Sequence, residues 1–398
     1  MKIVYLSLHP HIGRHDISGP GMHIREVIKG LQECGNEVIW VSPNMTSEQS
    51  QDKESLTNKG GAKGVLKKLI PSVIWETLLD IQLIRIDRKF ERELQMKIDT
   101  YQPDLIYERA YYMMGAGHRL AKKNQIPYLV EMNSPYIIEK PQMSHKSWLG
   151  AIAERNEKMQ FVAAKYALVV TSSLKKHFSD KYPEIRDKLV VIPNAVRSEY
   201  ILTDAVSADS EMRRGLGLSD NHVLITFIGS IFPYHGVDLL IEAFASATAM
   251  SQTQMKLLII GDGEILPDLK RLADSLGLGE NIFFAGKMPN EQARRFLAVS
   301  QIAVQANCTW YNSPIKLFEY GSQRVAVIAP RCPGVEDVMT DGEDGVLIDP
   351  DKNSLVMALN FLVENPEIRE RYANCFQEKV KTFHTWNETA KKIVALAR

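Results

Sequence analysis

Along the chain, short β-rich apolar runs alternate with longer stretches in which apolar residues return every three or four positions. KIVYLS (2–7) leads into a glycine-bearing loop, then a rhythm of Met22, Val27, Ile28 and Leu31, then EVIWVS (37–42). That order predicts strand, loop, helix, strand. A crossover between parallel strands is right-handed, so these residues open a wound parallel sheet. DLIYE (104–108), YLVEM (128–132), ALVVTS (167–172) and LVVIP (189–193) supply further strands. The pattern restarts at VLITFIG (223–229), with a helix predicted from Val237 to about Ala249. Strands follow at KLLIIG (256–261), IFFAG (282–286), QIAVQ (301–305), VAVIA (325–329) and GVLID (345–349). Such a restart means two α/β domains, each with its own parallel sheet.

The polar stretch 197–220 carries no strand signal and reads as the linker. It sets the domains at 1–197 and 198–375, with a helical close at 376–398 whose apolar residues could dock on either domain, including back on the first. A length of 398 residues agrees with two domains. Lys+Arg and Asp+Glu balance at 48 each, which gives nucleic-acid binding no support. Cys34, Cys308, Cys332 and Cys375 form no C-x-x-C pair, against a zinc site or a disulfide-rich secreted fold and in favour of a reducing cytoplasm. MKIVYLSLHP reads as a first strand rather than a signal peptide, and no apolar run has the length of a membrane span. One stretch departs from the sheet pattern. Within 59–75, Lys59, Lys63, Lys67 and Lys68 lie among Val65, Leu66, Leu69, Ile70, Ile74 and Trp75. That mixture suits peripheral contact with an anionic membrane, or an ordinary surface helix packed on its own domain.

Five segments of the second half stand in a telling order: FIGSIFPYHGVDLLIEAF (227–244), IIGDGE (259–264), FAGKMPNEQ (284–292), SPIKLFEYGS (313–322) and PGVEDVMTDGEDGVLI (333–348). In the first half SGPGMHIREVIKGLQECGNEVIWVSP, PDLIYERAYY (103–112), IPYLVEMNSP (126–135) and VIPNAV (191–196) accompany them. The set resembles the retaining, nucleotide-sugar-dependent GT-B glycosyltransferases of family 4, in their SPxKLFEY form. The resemblance covers nearly the whole chain. It implies a GT-B fold of two Rossmann-like domains whose parallel sheets face an interdomain cleft, the first domain binding the acceptor and the second the donor.

A nucleotide sugar presents a diphosphate, a ribose diol, a base and a sugar. Loops that open helices offer free N–H groups and a favourable dipole to phosphate, and two are candidates here: Gly19–Gly21 and Ser313–Leu317. The first lacks the third glycine of a dinucleotide fingerprint, which disfavours hydride transfer, and a plain glycine turn remains open for Gly21. Where the family places an arginine and a lysine around the phosphates, this chain has Ser230 and His235, the latter before Gly236. The departure removes two cations, and Lys316 is the obvious substitute, unless it is a solvated surface lysine. His235 is read as a donor to phosphate or acceptor oxygen, or as a structural turn residue.

By the resemblance Glu319 accepts the ribose hydroxyls, and charge-assisted bonds to a diol suit a carboxylate set among Phe318 and Tyr320. The family's other glutamate is replaced by Tyr311, with Asn312 beside it, so backbone from Asn312 to Ile315, Ser313 included, is the expected donor contact there. Gly286, Lys287 and Met288 offer backbone to the base by analogy. In the first half, Asn133 matches the family's sugar-contacting histidine. Glu131 could place a carboxylate at the reacting centre or simply pair with Arg109. His23 and Arg109 are the further candidates for acceptor or sugar contact.

The implied reaction moves a sugar, with retention at the anomeric carbon, from a UDP- or GDP-linked donor to a hydroxyl of a glycan or lipid-linked acceptor, as in polysaccharide synthesis. It implies no bound metal and no cofactor, and no side-chain nucleophile, since the departing phosphate can take the acceptor's proton. Two other readings keep the fold: a non-catalytic partner subunit, motivated by the replaced residues, and a nucleotide-sugar epimerase.

Overall fold

The computed structural model describes residues 1–10, 12–16, 18–43, 70–143, 146–203, 210–219 and 221–398. The chain forms two compact units, Met1–Ile192 with Thr389–Arg398, and Pro193–Glu388.

In the first unit, strands β1 (Lys2–Ser7), β2 (Glu37–Val41), β3 (Leu105–Arg109), β4 (Tyr128–Met132), β5 (Tyr166–Val169) and β6 (Leu189–Val191) form one sheet in the order β2-β1-β3-β4-β5-β6. Every pairing is parallel. The second unit repeats the plan with β7 (Val223–Ile228), β8 (Met255–Ile260), β9 (Ile282–Gly286), β10 (Ile302–Val304), β11 (Ala326–Pro330) and β12 (Val346–Ile348), ordered β12-β11-β10-β7-β8-β9 and again parallel. Central strands such as β4 and β11 are buried at every residue. That is why they read as unbroken apolar runs instead of alternating ones: helices cover both faces of a parallel sheet. The predicted strands all form, with ends moved by a residue or a few.

In each sheet the winding direction reverses once, between β1 and β3 and between β10 and β7. Loops diverge at the carboxyl ends of such a strand pair and leave a crevice there, the usual place for a ligand in open α/β sheets. In the second unit the residues at that crevice are those following Ile228 and Val304. They carry two of the segments singled out in the sequence.

The unit boundary falls at 192/193, not 197/198, and the segment expected to be a linker starts inside the second unit. Hydrogen bonds explain this. Val196 N donates to His384 O (3.0 Å), Trp386 N donates to Val196 O (3.0 Å), and Leu202 N donates to Ser322 O (2.8 Å). The closing segment likewise divides later than 376. Helix Pro366–Phe383 packs in the second unit, with Phe376 and Val380 against Gly321, and only the final ten residues join the first. Lys165 Nζ donates to Ala397 O (3.3 Å) within that unit.

The departure from the sheet pattern after residue 50 includes a 30-residue helix, Ser72–Tyr101. Its buried face is apolar towards the end, with Phe90, Leu94 and Ile98, and acidic earlier, where Lys140 answers Asp80 and Arg119 answers Asp87 (2.6 Å) and Glu91 (2.8 Å). Lys59, Lys63, Lys67 and Lys68, on which the expected membrane contact rests, lie outside the described residues; Ile70, Ile74 and Trp75 are half-buried. Among the described residues no helix is long and apolar enough to cross a membrane.

Candidate functional site

The strongest site is in the second unit, around helix Ile315–Ser322. Leu317, Phe318, Tyr320 and Gly321 are buried in its core, leaving Lys316 and Glu319, one turn apart, on another face. Tyr320 fixes the helix to the sheet: its hydroxyl accepts from Ile228 N (3.1 Å) at the end of β7. Ser313, just before the helix, is buried, with Oγ accepting from Asn194 N (3.0 Å) and its carbonyl from Asn194 Nδ2 (2.6 Å). The VIPNAV motif thus supports the 313 loop of the second unit. Pro314 is the N-cap and no side chain caps the helix, so Ile315 N and Lys316 N have no capping side chain, while Leu317 N donates to Pro314 O (3.1 Å).

Lys316 Nζ is buried and has no hydrogen-bond partner. It lies 4.5 Å from the centroid of Phe227 and against Gly229, where a Cβ would come within 2.7 Å of it. Gly229 is required by its φ of 146°, and Gly261 by the close approach of the two loops, since a Cβ on it would stand 1.9 Å from the Gly229 carbonyl oxygen. Burial pulls the Lys316 ammonium down to about 7, against the opposing pull of Glu319. Glu319 is itself raised by burial, while Lys316 and Arg294 draw it back. No hydrogen bond or ion pair reaches the Glu319 carboxylate among the described residues.

His235 contributes no cation. Its Nδ1 faces the Ser230 carbonyl at 2.5 Å, which can only accept, so Nδ1 carries the proton. Burial, then the charge of Lys316, lower its pKa to about 4 in spite of the Ser230 carbonyl. At neutral pH Nε2 of the free protein therefore has a lone pair and no N–H, and the expected donor role would need a second proton there. Gly236 (φ 67°) turns the chain into helix Val237–Met250. Gly286 is bound through its carbonyl to Gly261 N (2.9 Å), Lys287 is exposed and Met288 half-buried. Tyr311 and Asn312 are half-buried. Cys308, in the same loop, lies against Cys332, 24 residues on in sequence.

Arg294 was not anticipated. It rises from helix Asn290–Ala298, its guanidinium 3.4 Å from the centroid of Tyr200, with Nη1 buried and unpartnered. Its partner ring is remote in sequence, so no local pattern marks it.

In the first unit, Glu131 at the end of β4 gathers the candidates together. His23 Nε2 lies 2.7 Å and Arg109 Nη1 2.9 Å from its Oε1, Asn133 Nδ2 donates to the same oxygen, and the Tyr107 hydroxyl donates to Oε2. Burial pushes its carboxyl up, but His23, Arg109 and Tyr107 outweigh burial and hold it well below the usual carboxylate range. A carboxylate this acidic is a very weak base. Pairing with Arg109, the alternative the sequence left open, is what the geometry adopts. Asn133 Oδ1 stays buried without a partner. Gly21 has no N–H to spare for a phosphate, because Ser18 Oγ, the N-cap of helix Gly19–Glu33, accepts it at 3.3 Å. The plain glycine turn accounts for that loop.

Residues 208–378 match the family model described as glycosyl transferases group 1, and residues 17–200 match glycosyltransferase family 4. The chain is 23% identical over 393 residues to an uncharacterized glycosyltransferase of Methanocaldococcus jannaschii, covering 96% of this chain and 94% of that one. It is 28% identical over 425 residues to a D-inositol 3-phosphate glycosyltransferase of Nocardioides, covering 100% and 89%. Among solved structures, Anabaena HepE in complex with UDP superposes with a TM-score of 0.71 at 15% identity, covering 99% of each chain. The last is a likeness of fold.

Proposed function

Since the chain belongs to the group 1 glycosyltransferases, we propose that it transfers a hexosyl group, with retention, from a nucleoside-diphosphate sugar to a hydroxyl of a glycan or lipid-linked acceptor. The observation that carries the donor assignment is the buried, unpartnered Lys316 ammonium beside an uncapped helix N-terminus, with Glu319 one turn further on. An ammonium withdrawn from water and left unpaired is costly unless an anion completes it. A diphosphate would meet both Lys316 and the helix dipole, and the leaving group's growing charge would be stabilised in place. Glu319 would accept the two ribose hydroxyls, which its unbonded carboxylate is free to do.

In this reading no side-chain nucleophile is used, and a phosphate oxygen of the departing diphosphate takes the acceptor's proton. No metal is assigned to the reaction. The fold neighbour HepE is described in complex with UDP, which is in keeping with a sugar nucleotide as donor here. A thermal-shift panel of nucleotides and sugar nucleotides tests it. Ligand at about a hundred times its dissociation constant stabilises by roughly 2.7 kcal/mol, a readily measured shift. The expected result is stabilisation by one nucleoside diphosphate and its sugar conjugate, followed by product formation with an acceptor in the presence of chelator. No shift with any nucleotide would overturn the assignment.

A further inference from the structure

The donor-site reading uses Lys316 and Glu319 and leaves one buried cation unexplained. Arginine keeps its proton at any working pH and carries only donors, so a buried guanidinium nitrogen requires an acceptor. Arg294 Nη1 has none. Its orientation is nevertheless fixed, because the guanidinium lies on the Tyr200 ring at 3.4 Å. Tyr200 is held in turn: its carbonyl accepts from Gln323 Nε2 (2.5 Å), and Arg197 stands 5.0 Å from the same ring. Gln323 follows the helix that carries Glu319, one turn beyond it.

The groups are therefore ordered. Lys316 lies by the end of β7, against Phe227 and Gly229; Glu319 is a turn further along the helix; Arg294 approaches from another helix near enough to influence Glu319 without forming an ion pair to it. A diphosphate at Lys316 and a ribose at Glu319 leave the nucleoside end of the donor for Arg294.

We propose that Arg294 is a specificity-determining residue of the donor site, its Nη1 donating to a base carbonyl or ribose oxygen of the nucleoside beside Glu319. The proposal rests on the donor-site reading above. The Tyr200 contact holds the guanidinium in one place, so its unpartnered Nη1 selects an acceptor by position rather than by charge alone.

The test titrates wild type, Arg294→Ala and Arg294→Lys with the nucleoside diphosphate that binds wild type most tightly, and with inorganic pyrophosphate, which has no nucleoside. Both variants should bind the nucleotide at least about tenfold more weakly, as expected for a lost charged hydrogen bond. Pyrophosphate affinity should stay within about twofold, and Arg294→Lys, which keeps the charge and most of the stem, should fold like wild type. Equal weakening of both probes would make Arg294 a phosphate cation and overturn the proposal. Full affinity in either variant would do the same, since it would leave only a structural stack or a bare charge. If wild type binds no nucleotide, the donor-site reading itself falls and takes this inference with it.

Discussion

Glu131 and Lys316 each belong to a buried polar cluster near the carboxyl end of a parallel sheet, and they differ in one respect. Glu131 has His23, Arg109, Tyr107 and Asn133 around it, while the Lys316 ammonium has no hydrogen-bond partner and only the face of Phe227 beside it. A satisfied charge such as Glu131 holds a fold together, and a partner added to it would have to displace one already bound, although Asn133 Oδ1 beside it is itself unpartnered. An unsatisfied one remains at the expense of the empty protein, which is reasonable where a ligand completes it. The difference separates a structural charge from a binding charge more sharply than burial does, for both groups are buried.

Glu131→Gln should have the largest effect on stability. Removing one partner of a buried ion cluster costs about 3–5 kcal/mol, and Arg109 would be left facing a neutral amide. Thermal unfolding should show the loss, while nucleotide affinity stays near that of wild type; a variant as stable as its parent would contradict the structural role. The sign with pH follows. Glu131's carboxyl is depressed in the folded protein, so its stabilisation is present above the unfolded value of about 4.3 and is lost only as pH falls well below it.

Lys316→Met should invert the pattern. Nucleotide affinity should drop by about 1.5–3 kcal/mol, the range for hydrogen bonds to charged groups, and the unliganded protein should be no less stable, because a desolvated ammonium has gone. Loss of stability with affinity intact would make Lys316 the structural charge of the two. Glu319→Gln should act more narrowly, eroding the preference for ribo- over deoxyribonucleotides while leaving diphosphate binding largely in place. Comparing both nucleotides in both proteins checks it, and an unaltered preference would reject the ribose assignment.

Much of this was legible in the sequence. The strands of both sheets follow from apolar runs and turn residues, and the importance of SPIKLFEYGS follows from a lysine and a glutamate set one turn apart among core residues. What was not legible depends on pairings across the chain. His235 looked like a donor, but its proton is committed to the Ser230 carbonyl five residues back in a local turn. Gly21 looked like a phosphate cradle, yet Ser18 caps its N–H. The stack of Arg294 on Tyr200 and the Asn194 support of Ser313 join residues 94 and 119 apart in sequence, for which periodicity offers no signal. The polar pattern of 197–220 likewise gave no sign that the backbone around its start is bound, Val196 to His384 and Trp386 and Leu202 to Ser322.

The central claim, that Lys316 is the donor's phosphate cation, is tested most directly by nucleoside-diphosphate affinity from pH 7 to 9 in wild type and Lys316→Met. In the free protein burial holds the Lys316 pKa at about 7, and a bound diphosphate would raise it, so binding takes up a proton above that pH. Wild-type affinity should then fall by up to about tenfold per pH unit above 7, and the variant should be weaker and flat across the range. Parallel pH profiles of similar affinity in the two proteins would contradict the account.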